Sequence, residues 1–415
     1  MKKVHPVIIL LVIAVLAYGI LIPQLGFYWD DLPMSWIRYE LGPDAMTQYF
    51  STNRPVWGLL YQLTTRLIPQ VPAYWQVFAL LWRWLGAVVV WAIVRELWKD
   101  KPNFAFGVAL FFLFYPGFNQ QWGAYLYSHF FIVLFFYLYS IYLSLKRKTI
   151  LALLFSALNL WMMEYFFPLE IARPGFIWVS LRDEYPNPRD RFRPTLKLWT
   201  PYLAVFALAV LSRLFVFNNQ IYGFGLLSQL QTAPAATIVS LIQNVLLSLW
   251  TVLLAAWTQT IAPIDPAVHG IRTIALYAFV SVLAFVIAIY FLFKNSDNGL
   301  HKRDFYYAIG LGLFLLPFAG APFWLTGLTI SLAHPASRFT LPFMFAASLI
   351  VAGLIELIPA RFRYLILALL IGLAAGRQFL WSTDYLRSWQ QQKNLFWQMT
   401  WRAPGLKPNT IVLMN

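Results

Sequence analysis

The chain of 415 residues is 60% hydrophobic and 11% charged, with a net charge of +15 and a mean hydropathy of +0.63. Several continuous apolar runs of about 20 residues exclude a water-soluble globule, and the lack of period-two alternation excludes a β-barrel, leaving an all-α polytopic bundle. The basic charge gives no reason to expect nucleic acid, because most Lys and Arg sit in short loops between apolar runs, as cytoplasmic loops do, and the absence of cysteine excludes disulfides and thiolate metal sites.

Lys2 and Lys3 precede an apolar run over 7–22 with no A-x-A pattern near its end, which predicts a retained signal anchor with the N-terminus inside. A long outer loop, 24–73, follows. It opens on Phe27, Tyr28 and Trp29, aromatics suited to a membrane–water interface, and places Asp30 and Asp31 directly behind them. Asp31 is placed to cap a short interfacial helix carrying Leu32 and Trp36 on one face and Arg38 and Glu40 on another. The loop closes on Arg54 and Pro55.

The return span is predicted over 74–94, with Arg83 at mid-membrane depth. Runs 104–116 and 125–145 form a hairpin whose outer turn, 115–122, bears no charge. Run 150–180 is interrupted by Pro168 and Pro174 and reads as two short spans meeting outside, near Glu164 and Glu170. Five basic residues mark 182–197 as a cytoplasmic loop.

Further spans are expected at 198–217, 237–261, 272–293, 305–330, 339–358 and 364–381, for 11–13 in all. Three runs then lie between two basic loops that should share a side, and an odd number of crossings cannot connect them. The one to suspect is 237–261, which carries Gln243, Asn244, Thr258 and Gln259. Residues 1–381 thus form the membrane domain. Residues 382–415 form a tail, amphipathic over 385–401, then a turn and an incipient strand at 411–414, where a soluble outer domain would begin.

Two carboxylates at a lipid–water boundary favour acid–base chemistry, because partial desolvation raises a pKa and strengthens a base. The plain alternative is that Asp31 caps a helix and Asp30 is solvated. An exposed Arg54 can likewise snorkel to headgroups, and Arg83 can pair with Glu164 or Glu170 across the bundle.

An Asp-Asp pair ending the first span, a long outer loop and a basic-Pro dipeptide at Arg54 together resemble the GT-C superfamily of integral-membrane glycosyltransferases. Protein O-mannosyltransferases and the aminoarabinose transferase of lipid A belong to it. The resemblance covers the architecture of the first ~220 residues. It implies an inverting transfer of sugar from a polyprenyl-phosphate carrier to a glycan, lipid or protein acceptor, on the outer face of the plasma membrane.

On that resemblance Asp30 deprotonates the acceptor hydroxyl, Asp31 orients it or helps hold a metal, and Arg54 neutralises the departing phosphate. From their positions alone, Arg338, at the outer entrance of a late span, could supply a second phosphate contact or serve as an interfacial anchor, and Glu164, at an outer helix end, could add a carboxylate to the cleft. His129 stands where many members place a metal-ligating acid or histidine, although the charge-free second loop departs from that pattern and His129 also reads as a polar residue among aromatics. Mg²⁺ or Mn²⁺ could be held by Asp30, Asp31 and a distant Glu. The other reading is a transporter or flippase of a lipid-linked substrate, with Arg83, Glu164, Arg213 and Arg338 as counter-ions.

Overall fold

A computed structural model describes residues 5–217, 225–295, 299–407 and 410. Lys2, Lys3 and the incipient strand at 411–414 lie outside the described residues. The chain is 80% helical with no strand among the described residues, as continuous apolar runs require where a bilayer offers the backbone no hydrogen bonds.

The first run, α1, extends over Pro6–Gln24, with a π turn at Val15–Gly19. The outer loop carries α2 (Asp31–Glu40), α3 (Ala45–Tyr49) and α4 (Pro55–Leu67). In α2 the packing face is Met34 and Ile37, while Trp36 stands exposed, so the face is rotated from the expected one. There follow α5 (Pro72–Leu97), α6 (Pro102–Leu113), α7 (Ala124–Leu145), α8 (Thr149–Met162) and α9 (Arg173–Ser180). The rest is α10 (Pro188–Val216), α11 (Gly225–Thr232), α12 (Pro234–Ile261), α13 (Pro266–Lys294), α14 (Lys302–Thr326), α15 (Ala336–Ile355) and α16 (Ala360–Arg402).

Among the described residues nine runs are long and apolar enough to cross a membrane, fewer than the 11–13 expected. The difference lies in α6, α8 and α9, with 12, 14 and 8 residues. At 1.5 Å per residue, 12 residues extend about 18 Å, well short of a hydrocarbon core of about 30 Å.

The bundle has a basic end and, opposite it, the end where the outer loop lies. At the basic end Arg182 donates to Asp304 at 3.2 Å, Arg303 to Asp183 at 2.7 Å, and Arg191 to the Tyr307 hydroxyl at 2.9 Å. The parity problem resolves at the other end. α10 arrives there, with Arg213 bound to Glu164, and α13 leaves from there, with Arg387 bonded to Val268 O at 2.5 Å. Between them the second half of α12 bonds to neighbours near that end: Ser248 accepts from Trp324 at 3.1 Å, Val252 O from Tyr115 at 2.8 Å, and Ala262 O from Arg377. From Ser248 to Ala262, about 21 Å of helix, these bonds keep the suspected segment to one end.

Tight helix contact fixes α16 in place. Gly372 and Gly376, one turn apart, meet α13 so closely that a Cβ on Gly376 would lie 1.9 Å from Ser281 Oγ, and one on Gly372 2.7 Å from Ser281 O. Small residues at such spacing let helix backbones approach where lipid supplies no hydrophobic drive. The helix continues unbroken past Trp381 to Arg402. The change of composition there marks a change of surroundings, not the end of an element.

Candidate active site

The acidic pair sits on a turn between α1 and α2 in which the N–H of Asp31 donates to Tyr28 O at 2.9 Å and that of Leu32 to Trp29 O at 3.0 Å. Within it Trp29 takes φ +49°, a left-handed conformation that costs a non-glycine residue about 1–3 kcal/mol. The surroundings hold it there: the indole meets the His334 ring edge-on, centroids 4.7 Å apart, and the Arg338 guanidinium lies 5.3 Å above it. The turn sends the two neighbouring carboxylates in different directions.

Asp31 is fully buried. Its Oδ1 accepts from Leu126 N at 3.0 Å and its Oδ2 from Tyr28 N at 3.4 Å. The expected cap on α2 is absent, since Asp31 is the first residue of that helix. It caps α7 instead, because Leu126 lies in the first turn of α7, where N–H groups have no partner within the helix. Burial pushes its pKa up to about 8, against the lowering effect of the N–H groups of Leu126, Tyr28 and Tyr125. Asp31 is therefore a tie between the outer loop and the bundle.

Asp30 is open, with its side chain 38% exposed and its Oδ2 4.0 Å from Arg338 Nη1. Burial raises its pKa, while the charge of Arg338 and the His334 ring pull it back. This is the environment of a carboxylate more basic than one in water. His334 faces it with a pKa lowered by burial and by Arg338.

The cleft around the pair is narrow, with a cavity volume of about 10 Å³, and is lined by Trp29, Asp30, Gln120, Tyr127, His334 and Tyr385, among others. Its far wall is the charge-free second loop. Gln120 donates to Ser337 Oγ at 2.6 Å and to Pro335 O at 3.0 Å, Tyr127 donates to Gln120, and Ser337 donates to Asn119 at 2.6 Å. These neutral amides and hydroxyls fix the 332–338 segment and so aim His334 and Arg338. The Arg338 Nε is buried without a hydrogen-bond partner.

Beside the cleft stands a second charged group. Arg54 Nε donates to Glu164 Oε2 at 2.8 Å and Arg213 Nη1 to Glu164 Oε1 at 2.7 Å. Burial acts to raise the Glu164 pKa, but the two guanidiniums overcome it and hold the group at about 2. Two cations on one anion leave the trio with a net positive charge. Arg54 also lies over Trp57 at 5.3 Å and Tyr165 at 5.9 Å, and Tyr165 packs on Phe339, the residue after Arg338.

The structure thus gathers Asp30, Asp31, Arg54, Glu164 and Arg338 at one end and leaves His129 out of the cleft. His129 is sealed within α7, its Nε2 2.8 Å from Thr64 Oγ1, its Nδ1 2.9 Å from Tyr125 O, and its ring stacked 3.6 Å from that of Tyr61. Both ring nitrogens are occupied, which is the state of a packed polar residue. Arg83 pairs with neither Glu164 nor Glu170: it donates to Leu113 O at 2.9 Å and Gln121 Oε1 at 3.1 Å beneath the Tyr18 ring. Glu170 is bound by Arg173 and Ser156.

A divalent cation does not fit these residues well. Both Asp31 oxygens already accept main-chain N–H groups, and among the described residues no three His, Asp or Glu side chains are grouped to hold a metal.

Sequence reasoning missed Gln120, Tyr127 and His334, and did not join Arg213 to Glu164. His334 stands four residues before Arg338, a signal available in the chain, whereas Gln120 and Tyr127 carry no charge to attract notice. No protein-family model and no curated protein matches the chain, so the reading of this site rests on its own residues.

Proposed function

We propose that the protein is an inverting membrane glycosyltransferase of GT-C type, moving a sugar from a polyprenyl-phosphate carrier to an acceptor hydroxyl. The observation that carries this reading is the division of labour between Asp30 and Asp31. One carboxylate is anchored, and its neighbour is open, partly desolvated and beside the Arg338 guanidinium. The positive-inside rule puts the basic end in the cytoplasm and the cleft on the outer face of the plasma membrane.

In the reaction Asp30 takes the proton of the acceptor hydroxyl, whose oxygen attacks the anomeric carbon. The bond from that carbon to the phosphate oxygen breaks, and the electron pair leaves with polyprenyl phosphate. Arg338 and the Arg54–Glu164–Arg213 trio receive the charge that develops on the leaving oxygen, where fixed cations act most strongly on the transition state. Glu164 serves to hold Arg54 and Arg213 in place, and Asp31 to position Asp30. A retaining mechanism would need two carboxylates about 5–5.5 Å apart acting as nucleophile and acid, and Asp31 is too enclosed for either role.

The test is release of free polyprenyl phosphate from a radiolabelled carrier sugar by purified protein with an acceptor-containing membrane extract. Release by the wild type and not by Asp30→Asn is the expected result. Transbilayer movement of the intact carrier without release, in folded protein, would sink the transferase and establish the flippase.

A further inference from the structure

Far from the cleft, at the basic end, α9, α10 and α14 part to leave a groove of about 500 Å³. Its walls include Trp178, Phe192, Trp199, Tyr306, Gly310 and Phe314. Tyr306, Gly310 and Phe314 follow one another at intervals of four and so form a single ridge of α14. That ridge runs from the basic end toward the membrane centre over about 12 Å. Both helices that flank it, α10 and α14, are candidate membrane spans, so the groove opens sideways to lipid.

The helices that frame this groove carry cationic residues in their first turns, at the basic end. Lys302 continues the Tyr306 ridge by one turn toward the basic end, and Arg189 and Arg193 stand beside Phe192 on α10. All three are exposed and enter no ion pair among the described residues. Their neighbours Arg182 and Arg303 are already matched to Asp304 and Asp183. An apolar slot at membrane depth below a cluster of unmatched cations fits an amphiphile with an acyl chain and a negative headgroup.

We propose that this groove binds an anionic phospholipid, with one acyl chain between α10 and α14 and the headgroup phosphate at Arg189, Arg193 and Lys302. Basic pockets between spanning helices suit such headgroups, and each Lys or Arg near an anionic surface contributes about 1 kcal/mol. The chain slot supplies the remainder by burying CH₂ groups, about 0.8 kcal/mol each. The site is separate from the cleft and does not depend on the transferase reading.

Native mass spectrometry of the purified protein, incubated in detergent with dioleoyl-phosphatidylglycerol or dioleoyl-phosphatidylcholine, reads the outcome directly. The wild type should retain phosphatidylglycerol in preference to phosphatidylcholine. The Arg189→Gln/Arg193→Gln/Lys302→Gln variant should lose that preference by about ten-fold or more. Gly310→Trp places an indole in the slot from a position where a Cβ meets open space, and should lose both lipids; Leu196→Trp, on the opposite wall, serves as a second filling variant. Asp30→Asn should retain lipid as the wild type does. Equal retention of the two lipids by wild type, undiminished phosphatidylglycerol on a folded filling variant, or its displacement at equal concentration by polyprenyl phosphate would each overturn the assignment.

Discussion

The helices that build the cleft and those that surround it hide very different shares of themselves. In α7 and α15 the apolar windows are 67% and 83% buried within the protein, whereas in α10 and α12 the figures are 11% and 17%. The first group can hold polar side chains at fixed positions, because each has several partners: Ser128, His129, Ser337 and Thr340 are all buried. The second group faces lipid with stripes such as Ile242, Leu246, Trp250 and Leu254 and contributes few polar contacts. Arg213 is the exception, a cation carried by a sparsely buried helix into the cleft-side trio. On the proposed reading the chemistry would depend on the inner group, and the charge balance beside it on the outer one.

The largest effect that would sharpen this contrast belongs to Asp30. Asp30→Asn keeps the shape of the side chain, gives up its ion pair with Arg338, and should lower sugar transfer by about 10²–10⁴, measured with purified protein at matched folded concentration. An undiminished rate would move the base elsewhere. Next comes Gly376→Leu, which forces a side chain against Ser281 and should cost at least about 1–3 kcal/mol of stability through overpacking. Gly310→Leu, facing open space, should change thermal unfolding little. Similar unfolding temperatures for the two would dissolve the distinction between inner and outer faces.

Arg213→Gln should reduce kcat by roughly ten-fold with a smaller change in KM, as expected for charge that matters mainly in the transition state. Loss of affinity with unchanged kcat would make the trio a simple anion trap. A separate readout is the pH dependence of unfolding in detergent. Asp31, raised from 3.8 to about 8, holds its proton in the folded state more tightly than in the unfolded one. Its contribution to stability therefore falls as pH rises from about 4 to about 8. Glu164, lowered from 4.5 to about 2, works the other way, with stability present above about 4.5 and lost as pH falls toward 2. Asp31→Asn should flatten the first slope and leave the second.

The helical class was legible because apolar runs of this length have no other solution in lipid, and even the parity fault pointed to the segment that keeps to one end. Asp30, Arg54 and Arg338 were legible because charges beside apolar runs are few. The role of Asp31 was not, since its partner Leu126 lies 95 residues away and offers a main-chain N–H, which no side-chain pattern reveals. Gln120 and Tyr127 were missed for the same kind of reason: their work is to place other residues, through contacts of long sequence separation. That one helix runs through residue 381 was not legible, because hydropathy registers the solvent around a helix, while its hydrogen bonds do not change there.

That unbroken helix has a mechanical consequence. α16 passes the cleft with Tyr385 edge-on to Tyr28, rings 5.0 Å apart, and with Trp389 so close to Gly26 that a Cβ there would lie 1.9 Å from the indole. It then continues for 13 further residues, about 20 Å, without a kink-forming proline. The helix is a lever with its fulcrum at the rim of the cleft. A sideways push at Arg402 is delivered as a torque to Tyr385 and Trp389, and so to the backbone that carries Tyr28, Trp29 and Asp30.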